Sequence, residues 1–253
     1  MPQKTYHDVI AARDDLMRRA TLDTRKWCVA PASVVGRNRH SDQHWMERFS
    51  AERLTELDAT IAHRFLVSFQ LTNRVAWDKE RVAAEIRAFV SREMRNPLIA
   101  IATLAAGLRE SNGRRTRQTS AASKVGMFAK PAAPVFIWDG LTACSARARD
   151  WYRAGQQTPR HARSVFRDDA GEHDYGAHHS ACARALADER ARDDFNEAVA
   201  DIERFLLVVG GPMGDRALVP ANFVERRLLD KLMFWEGWLM RKGSLPCVDL
   251  APG

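Results

Sequence analysis

Ser123-Lys124-Val125-Gly126-Met127-Phe128-Ala129-Lys130-Pro131-Ala132-Ala133-Pro134-Val135-Phe136-Ile137-Trp138-Asp139 is the stretch whose reading decides this chain. Ser120 to Met127 has the make-up of a helix start. Lys130-Pro131 and Pro134 end that helix, because proline lacks the amide donor and drives the residue before it out of the α region. Val135-Phe136-Ile137-Trp138 then reads as a buried extended run. Asp139 suits the N-cap of a second helix, through Leu141 to Trp151. An amine and a carboxylate thereby stand at the starts of two consecutive helices, where the dipole of the first disfavours a protonated amine. A lysine of lowered pKa is a nucleophile, and an ionised aspartate near it stabilises a developing cation. A lysine on a helix is more often a solvated charge, and an aspartate after an apolar run more often only a cap.

Just upstream, Arg109, Arg114, Arg115 and Arg117 join Lys124 and Lys130 against a single acid, Glu110. Ser111-Asn112-Gly113 is a turn, and Thr116, Gln118, Thr119 and Ser120 add polar groups. Short polar side chains and backbone amides ahead of a helix bind phosphate. Arg114, Arg115, Arg117, Ser120 and Lys130 are therefore the expected nucleic-acid backbone contacts; a solvated linker would have a similar composition. The chain holds 7 Trp, and an enzyme acting on an extruded base needs flat side chains to stack on it. Trp138, Phe128 and Trp151 are the expected substrate contacts, although an aromatic at helical spacing is more often core.

Beyond this stretch the pattern is helical. Tyr6, Val9, Ile10, Leu16 and Met17 recur at helical spacing, as do Leu54, Leu57, Ile61 and Phe65. Val82, Ile86, Phe89, Val90 and Met94 form a stripe that Asp78 or Trp77 starts and Pro97 ends. Leu98 to Leu108 is a second helix, stopped at Asn112-Gly113. Phe195 to Phe205 runs to Gly210-Gly211-Pro212, and a last helix from Pro220 passes Trp235 and Leu239 to Gly243. Val135 to Trp138 is the only strand candidate. The expected fold is all-α: a single domain over 1–253 in two lobes, with a loop-rich connection near 155–176.

Composition narrows the classes further. Of 253 residues, 45% are hydrophobic and 28% charged, which is ordinary for a globular protein with a core of its own. The net charge of +7 is compatible with a polyanion partner. The longest uncharged apolar run, Pro97 to Leu108, is well short of the roughly 20 residues of a membrane span. The N-terminus lacks the apolar core of a signal peptide. Cys28, Cys144, Cys182 and Cys247 are too scattered for a disulfide framework, which points to a cytoplasmic protein with free thiols. His161, His173, His178, His179 and Cys182 form a rival cluster; His178 and Cys182, at i and i+4, could share a zinc ion in a metal-dependent hydrolase. No H-E-x-x-H is present, and Gly210 to Gly214 lacks the Lys-Ser/Thr of a phosphate-binding loop.

The order Ser-Lys, then an apolar run with a phenylalanine and prolines, then Trp-Asp resembles the core of the helix-hairpin-helix DNA glycosylase superfamily, in particular its 8-oxoguanine glycosylase-like branch. The likeness covers little more than Ser123 to Asp139. Where that family carries a Gly-x-Gly turn, this chain has Arg117-Gln118-Thr119-Ser120-Ala121-Ala122. The resemblance implies a two-lobed helical fold, DNA as partner, a monomer, and neither metal nor cofactor. It implies a DNA-base N-glycosylase, with or without AP-lyase activity, in which Lys124 attacks C1′ of a flipped nucleotide and Asp139 stabilises the cationic sugar. The alternative is a non-catalytic nucleic-acid-binding or host-defence module on the same scaffold.

Overall fold

Apolar residues at three- and four-residue spacing, punctuated by short polar caps, give helices throughout. The computed structural model describes residues 4–29, 40–71, 77–110, 118–156, 166–167, 173–209 and 219–246. Within them the helices are α1 (Tyr6–Ala11), α2 (Arg13–Val29), α3 (Asp42–Arg48), a 3₁₀ turn (Ala51–Glu56), α4 (Ala59–Ser68), α5 (Lys79–Ser91), α6 (Pro97–Glu110), α7 (Thr119–Ala129), α8 (Gly140–Arg153), α9 (Tyr175–Arg190), α10 (Asp193–Val209) and α11 (Ala221–Lys242). Among the described residues the β pairing is one isolated bridge, Arg167 with His173. The all-α class expected from periodicity is thus observed.

Capping explains most starts. Ser41, Asp58, Asp78, Asp139 and Asp174 each accept a backbone N–H from the first turn of the helix that follows. Four boundaries differ from the periodic reading. The Leu54 to Phe65 stripe is cut at Leu57-Asp58, where Asp58 starts a new helix after the 3₁₀ turn. The first stripe is divided between α1 and α2, with Ala12 as the C-cap of α1. Pro97 opens α6 rather than closing α5, which suits a residue with no amide to donate. The helix carrying Lys124 begins at Thr119, so Lys124 lies in its second turn.

The long α11 is central. It packs along α8 and α2 and also touches α1, α9 and α10. A second group stacks in sequence: α4 on α5, α5 on α6, α6 on α7. Helix α3 joins the groups by packing on α2, α7 and the 3₁₀ turn, and α9 reaches α6. The stretch 155–176, expected as the lobe connection, lies in sequence between α8 and α9, and residues 157–165 and 168–172 of it lie outside the described residues.

Helices α11 and α8 cross closely at Gly237. A Cβ there would stand 2.2 Å from the Leu141 carbonyl oxygen, so α11 and α8 approach backbone to backbone just behind the Asp139 cap. Gly237→Ala should lower stability by about 2 kcal/mol or more, because a rigid backbone must move to admit the methyl group. Chemical denaturation reads this directly; an unchanged midpoint would show that the crossing has slack.

Candidate functional site

The site is built around an extended segment with no partner strand. After a turn over Pro131 to Ala133 the chain from Val135 to Trp138 is buried between helices, and the backbone groups of this stretch bond largely to side chains. Arg226 donates to the carbonyls of Val135 (2.8 Å) and Pro131, and to Asn222 one turn back on α11. The Tyr175 hydroxyl accepts from the Phe136 amide and donates to its carbonyl. His179 Nε2 donates to Pro134 (2.7 Å) and His178 Nε2 to Ile137 (3.1 Å). The Trp138 amide donates to Ser123 Oγ (2.9 Å), and the Trp138 carbonyl accepts from Lys124 Nζ (3.3 Å). The segment is extended, as expected, but it is not a strand.

This bracing delivers Asp139 to a fixed place. Its Oδ1 accepts the amides of Leu141 (2.7 Å) and Thr142 (2.9 Å), and Thr142 Oγ1 accepts the Asp139 amide in return, closing a capping box. Oδ2 stays outside the cap. Lys124, only 7% exposed, donates to Ser120 Oγ (2.8 Å) and to the Ser120 carbonyl as well as to Trp138.

Lys124 and Asp139 line the same cleft, of about 490 Å³. Its other walls come from α2 (Asp23, Trp27), the end of α4 (Ser68, Phe69, Gln70), Ile137, and one face of α11 (Arg227, Asp230, Lys231, Phe234, Trp238). The walls carry both signs of charge. Arg227 holds buried Asp42 by two bonds (2.5 and 2.9 Å) and also donates to Asp230 Oδ2. Asp230 Oδ1 is buried with no hydrogen-bond partner. Lys231 lies over the Trp27 ring at 4.8 Å.

Burial sets the titration of these groups. It lowers the Lys124 pKa, against the attraction of Asp139 and Asp230, and Arg227 adds to the lowering. Burial raises the Asp230 pKa, and Arg227 and Lys231 oppose it. The cause at Lys124 is therefore desolvation, not a helix N-terminus, since the residue lies beyond the first turn.

Of the other expected contacts, none among the described residues lines the cleft. Phe128 is 1% exposed, stacked on Phe69 at 5.5 Å under the Arg227 guanidinium, and supports the wall from behind. Trp138 is buried against His173, Phe166 and His178. Trp151, at the far end of α8, lies under Arg147. Lys130 Nζ donates to the Val90 carbonyl (2.6 Å), tying α7 to the end of α5. Ser120 is held by Lys124. Arg114, Arg115 and Arg117 lie outside the described residues, as do His161 and Cys247. The histidine cluster serves the backbone: His178 and His179 bind carbonyls, and Cys182 Sγ sits 3.5 Å from His178 Nε2. Among the described residues no group of three His, Cys, Asp or Glu side chains is arranged to hold a metal ion.

Asp230, Phe234, Trp238 and Gln70 enter the site without having been expected there. The α11 spacing of Arg227, Asp230, Lys231, Phe234 and Trp238 puts charge and aromatics on one helix face, a mixture that a pure core stripe lacks. Gln70 has φ +56°. It follows α4 in a Schellman arrangement, with the Leu71 amide bonded to Leu66 and the Gln70 amide to Val67. Glycine usually holds that left-handed position, and a side chain there is strained.

No protein-family model, curated protein or solved structure matches the chain.

Two measurements test this geometry. Gln70→Gly should stabilise the fold by about 0.5–1 kcal/mol, since the strain is relieved, while removing a cleft side chain; a loss of stability would mean that the glutamine is held by favourable contacts. His178 has its pKa pushed down to about 4 by burial. The unfolded chain therefore binds a proton that the folded chain refuses, and stability falls as pH drops from about 6.5 toward 4. That contribution amounts to about 3 kcal/mol at full protonation. Denaturation midpoints across this window should flatten in His178→Gln, and an equally steep profile would place the effect elsewhere.

Proposed function

We propose that this protein is a DNA-base N-glycosylase acting on a nucleotide extruded into the Lys124–Asp139 cleft, with AP-lyase chemistry available through Lys124. The observation that carries the proposal is the meeting, in one aromatic-lined cleft, of a buried lysine of lowered pKa and a carboxylate fixed by its own helix cap. The cleft volume of about 490 Å³ falls in the roughly 300–1,000 Å³ range of small-molecule sites.

The chemistry follows from the placement. Lys124 in its free-amine form attacks C1′. The bond from C1′ to the base nitrogen breaks, and its electron pair leaves on the base, which takes up a proton. Asp139 stabilises the positive charge that builds on the sugar. Opening of the sugar ring then leaves a protonated imine between C1′ and Nζ, from which β-elimination cleaves the strand. Phe234, Trp238 and Trp27 offer faces for the base. Asp230 Oδ1, an acceptor without a donor, favours a base whose exposed edge presents N–H groups.

A second reading has its own support. The Lys124 ammonium makes three hydrogen bonds within the protein, to Ser120 Oγ, Ser120 O and Trp138 O, which is what a purely structural lysine would do. The chain would then be a nucleic-acid-binding module without catalysis.

Borohydride trapping separates the two. With a panel of oligonucleotides carrying oxidised, deaminated, alkylated and normal bases, the wild type should release one class of base and be trapped covalently on it. Lys124→Gln should abolish trapping, because an amide nitrogen forms no imine. Asp139→Asn should retain the cap but lose base release by 100-fold or more, the order expected when a transition-state charge partner is removed (~10²–10³). If no member of the panel loses its base, the glycosylase reading fails and the binding module replaces it.

A further inference from the structure

We infer that His40, His44, Arg48 and Arg64 form a phosphate-binding track for a DNA strand that leads to the rim of the cleft. This rests on the proposed reading only in taking DNA as the partner.

The histidines are built into a rigid platform. Their rings stack at 4.2 Å and 17°, and both stand edge-on to Trp45, which is fully buried against Phe49 and Phe65. The charged groups that act most on the two histidines are arginines and, at His44, also His40. Arg64 and Arg48 act on His40; His40, Arg48, Arg64 and Arg53 act on His44. Three elements supply the charged groups nearby. Helix α3 gives Arg48 and Glu47, the latter bonded to Gln43. The 3₁₀ turn gives Arg53, exposed Glu52, and Glu56, whose carboxylate accepts from Arg48 at 3.0 Å and lies 4.0 Å from Arg53. Helix α4 gives Arg64, exposed and with no acidic partner among the described residues, and His63. Arg48 and Arg53 share the single carboxylate of Glu56 and Arg64 has none among the described residues, so three arginines around two stacked imidazoles leave positive charge for an anion to meet.

Position gives this patch its use. Arg64 is one turn, ~5.4 Å of rise, before Ser68 on α4. Ser68, Phe69 and Gln70 then form the cleft wall. On α3, Asp42 lies between His40 and His44 and is bonded to Arg227, another cleft residue. Phosphates held by the patch would thus belong to the strand whose nucleotide enters the cleft.

Burial and the arginines keep both histidines below their ordinary pKa, that of His44 at about 4. They are neutral at neutral pH in the free protein. An anion beside them favours the charged form, so binding takes up protons, and affinity rises as pH falls toward the free-state pKa.

The test is binding of an undamaged duplex oligonucleotide, followed by fluorescence anisotropy, for the full chain. The Arg48→Gln/Arg64→Gln variant should bind roughly 10-fold more weakly, and its slope of log affinity against log salt should fall by about 2, one per lost phosphate contact. Arg18→Gln, an exposed arginine of α2 paired with Asp15, should match the wild type. Wild-type affinity should increase between about pH 8 and pH 5, and His40→Gln/His44→Gln should remove that increase. Circular dichroism of each variant confirms that it is folded. Equal affinity and salt slope in the arginine variant, or a pH profile unchanged in the histidine variant, overturns the track. Base release by a wild type whose binding ignores these substitutions removes the track and leaves the glycosylase. Track-dependent binding without base release removes the glycosylase and leaves the track. A wild type that binds no duplex at low salt overturns both.

Discussion

A buried extended segment without a neighbouring strand is the constraint on which this structure depends. Each peptide group from Pro131 to Trp138 that leaves water must find a partner, or cost of order 1–3 kcal/mol. A sheet would provide those partners by backbone pairing. Here five helical side chains and a tyrosine hydroxyl do so: Arg226 from α11, His178, His179 and Tyr175 from α9, Ser123 and Lys124 from α7. Three helices are thereby tied to one strip of chain. The strip ends at Asp139, so the requirement to satisfy a backbone also fixes the carboxylate of the site. Arg226 shows how far this goes. It is buried with its pKa lowered to about 10 by desolvation, and it donates to carbonyls and a sulfur rather than to a carboxylate.

Helix α11 divides these duties by face. Arg226 turns to the extended segment. Arg227, Asp230, Phe234 and Trp238 turn to the cleft, and Gly237 lets α8 approach closely enough to present its capped N-terminus. Successive residues of a helix are about 100° apart, so neighbours such as Arg226 and Arg227 serve different surfaces. An arginine pair that looks like a single basic patch in the sequence is therefore two unrelated structural devices, both buried.

What was legible in the sequence follows the range of the interactions involved. The helices and their caps are local: Asp139, Asp78 and Asp58 act on amides two or three residues away, and spacing reveals them. The Lys124–Asp139 pair is legible because the chain between them is short and proline-bound. Asp230, Phe234, Trp238 and Gln70 reach the cleft only through packing of α11, α4 and α7, and no local pattern encodes that. Phe128 and Trp138 adjoin the key residues in sequence, and helix and extended geometry turn both into the core. His178 and Cys182 show the opposite error. Their i, i+4 spacing fits a metal pair, but a histidine whose partner is a backbone carbonyl leaves no signature in the sequence, since every residue has one.

The two sides of α11 also differ in how completely their charges are satisfied. Away from the cleft, Glu236, Arg149, Glu189, Arg13 and Asp194 form a closed ionic chain, with Arg149 bonded to both glutamates and Arg13 to Glu189 and Asp194. Such a network can hold α2, α8, α9, α10 and α11 in register because each charge has a partner of opposite sign. At the cleft the pattern is left incomplete: Asp230 has an unbonded oxygen, Asp139 one oxygen outside its cap, and Gln70 a strained backbone. The chain is plainly able to close a buried network, since it does so one helix face away. An open valence, a lowered lysine and a strained turn gathered in one concavity are costs that the fold alone does not require, and a bound ligand is the physical circumstance that would offset them.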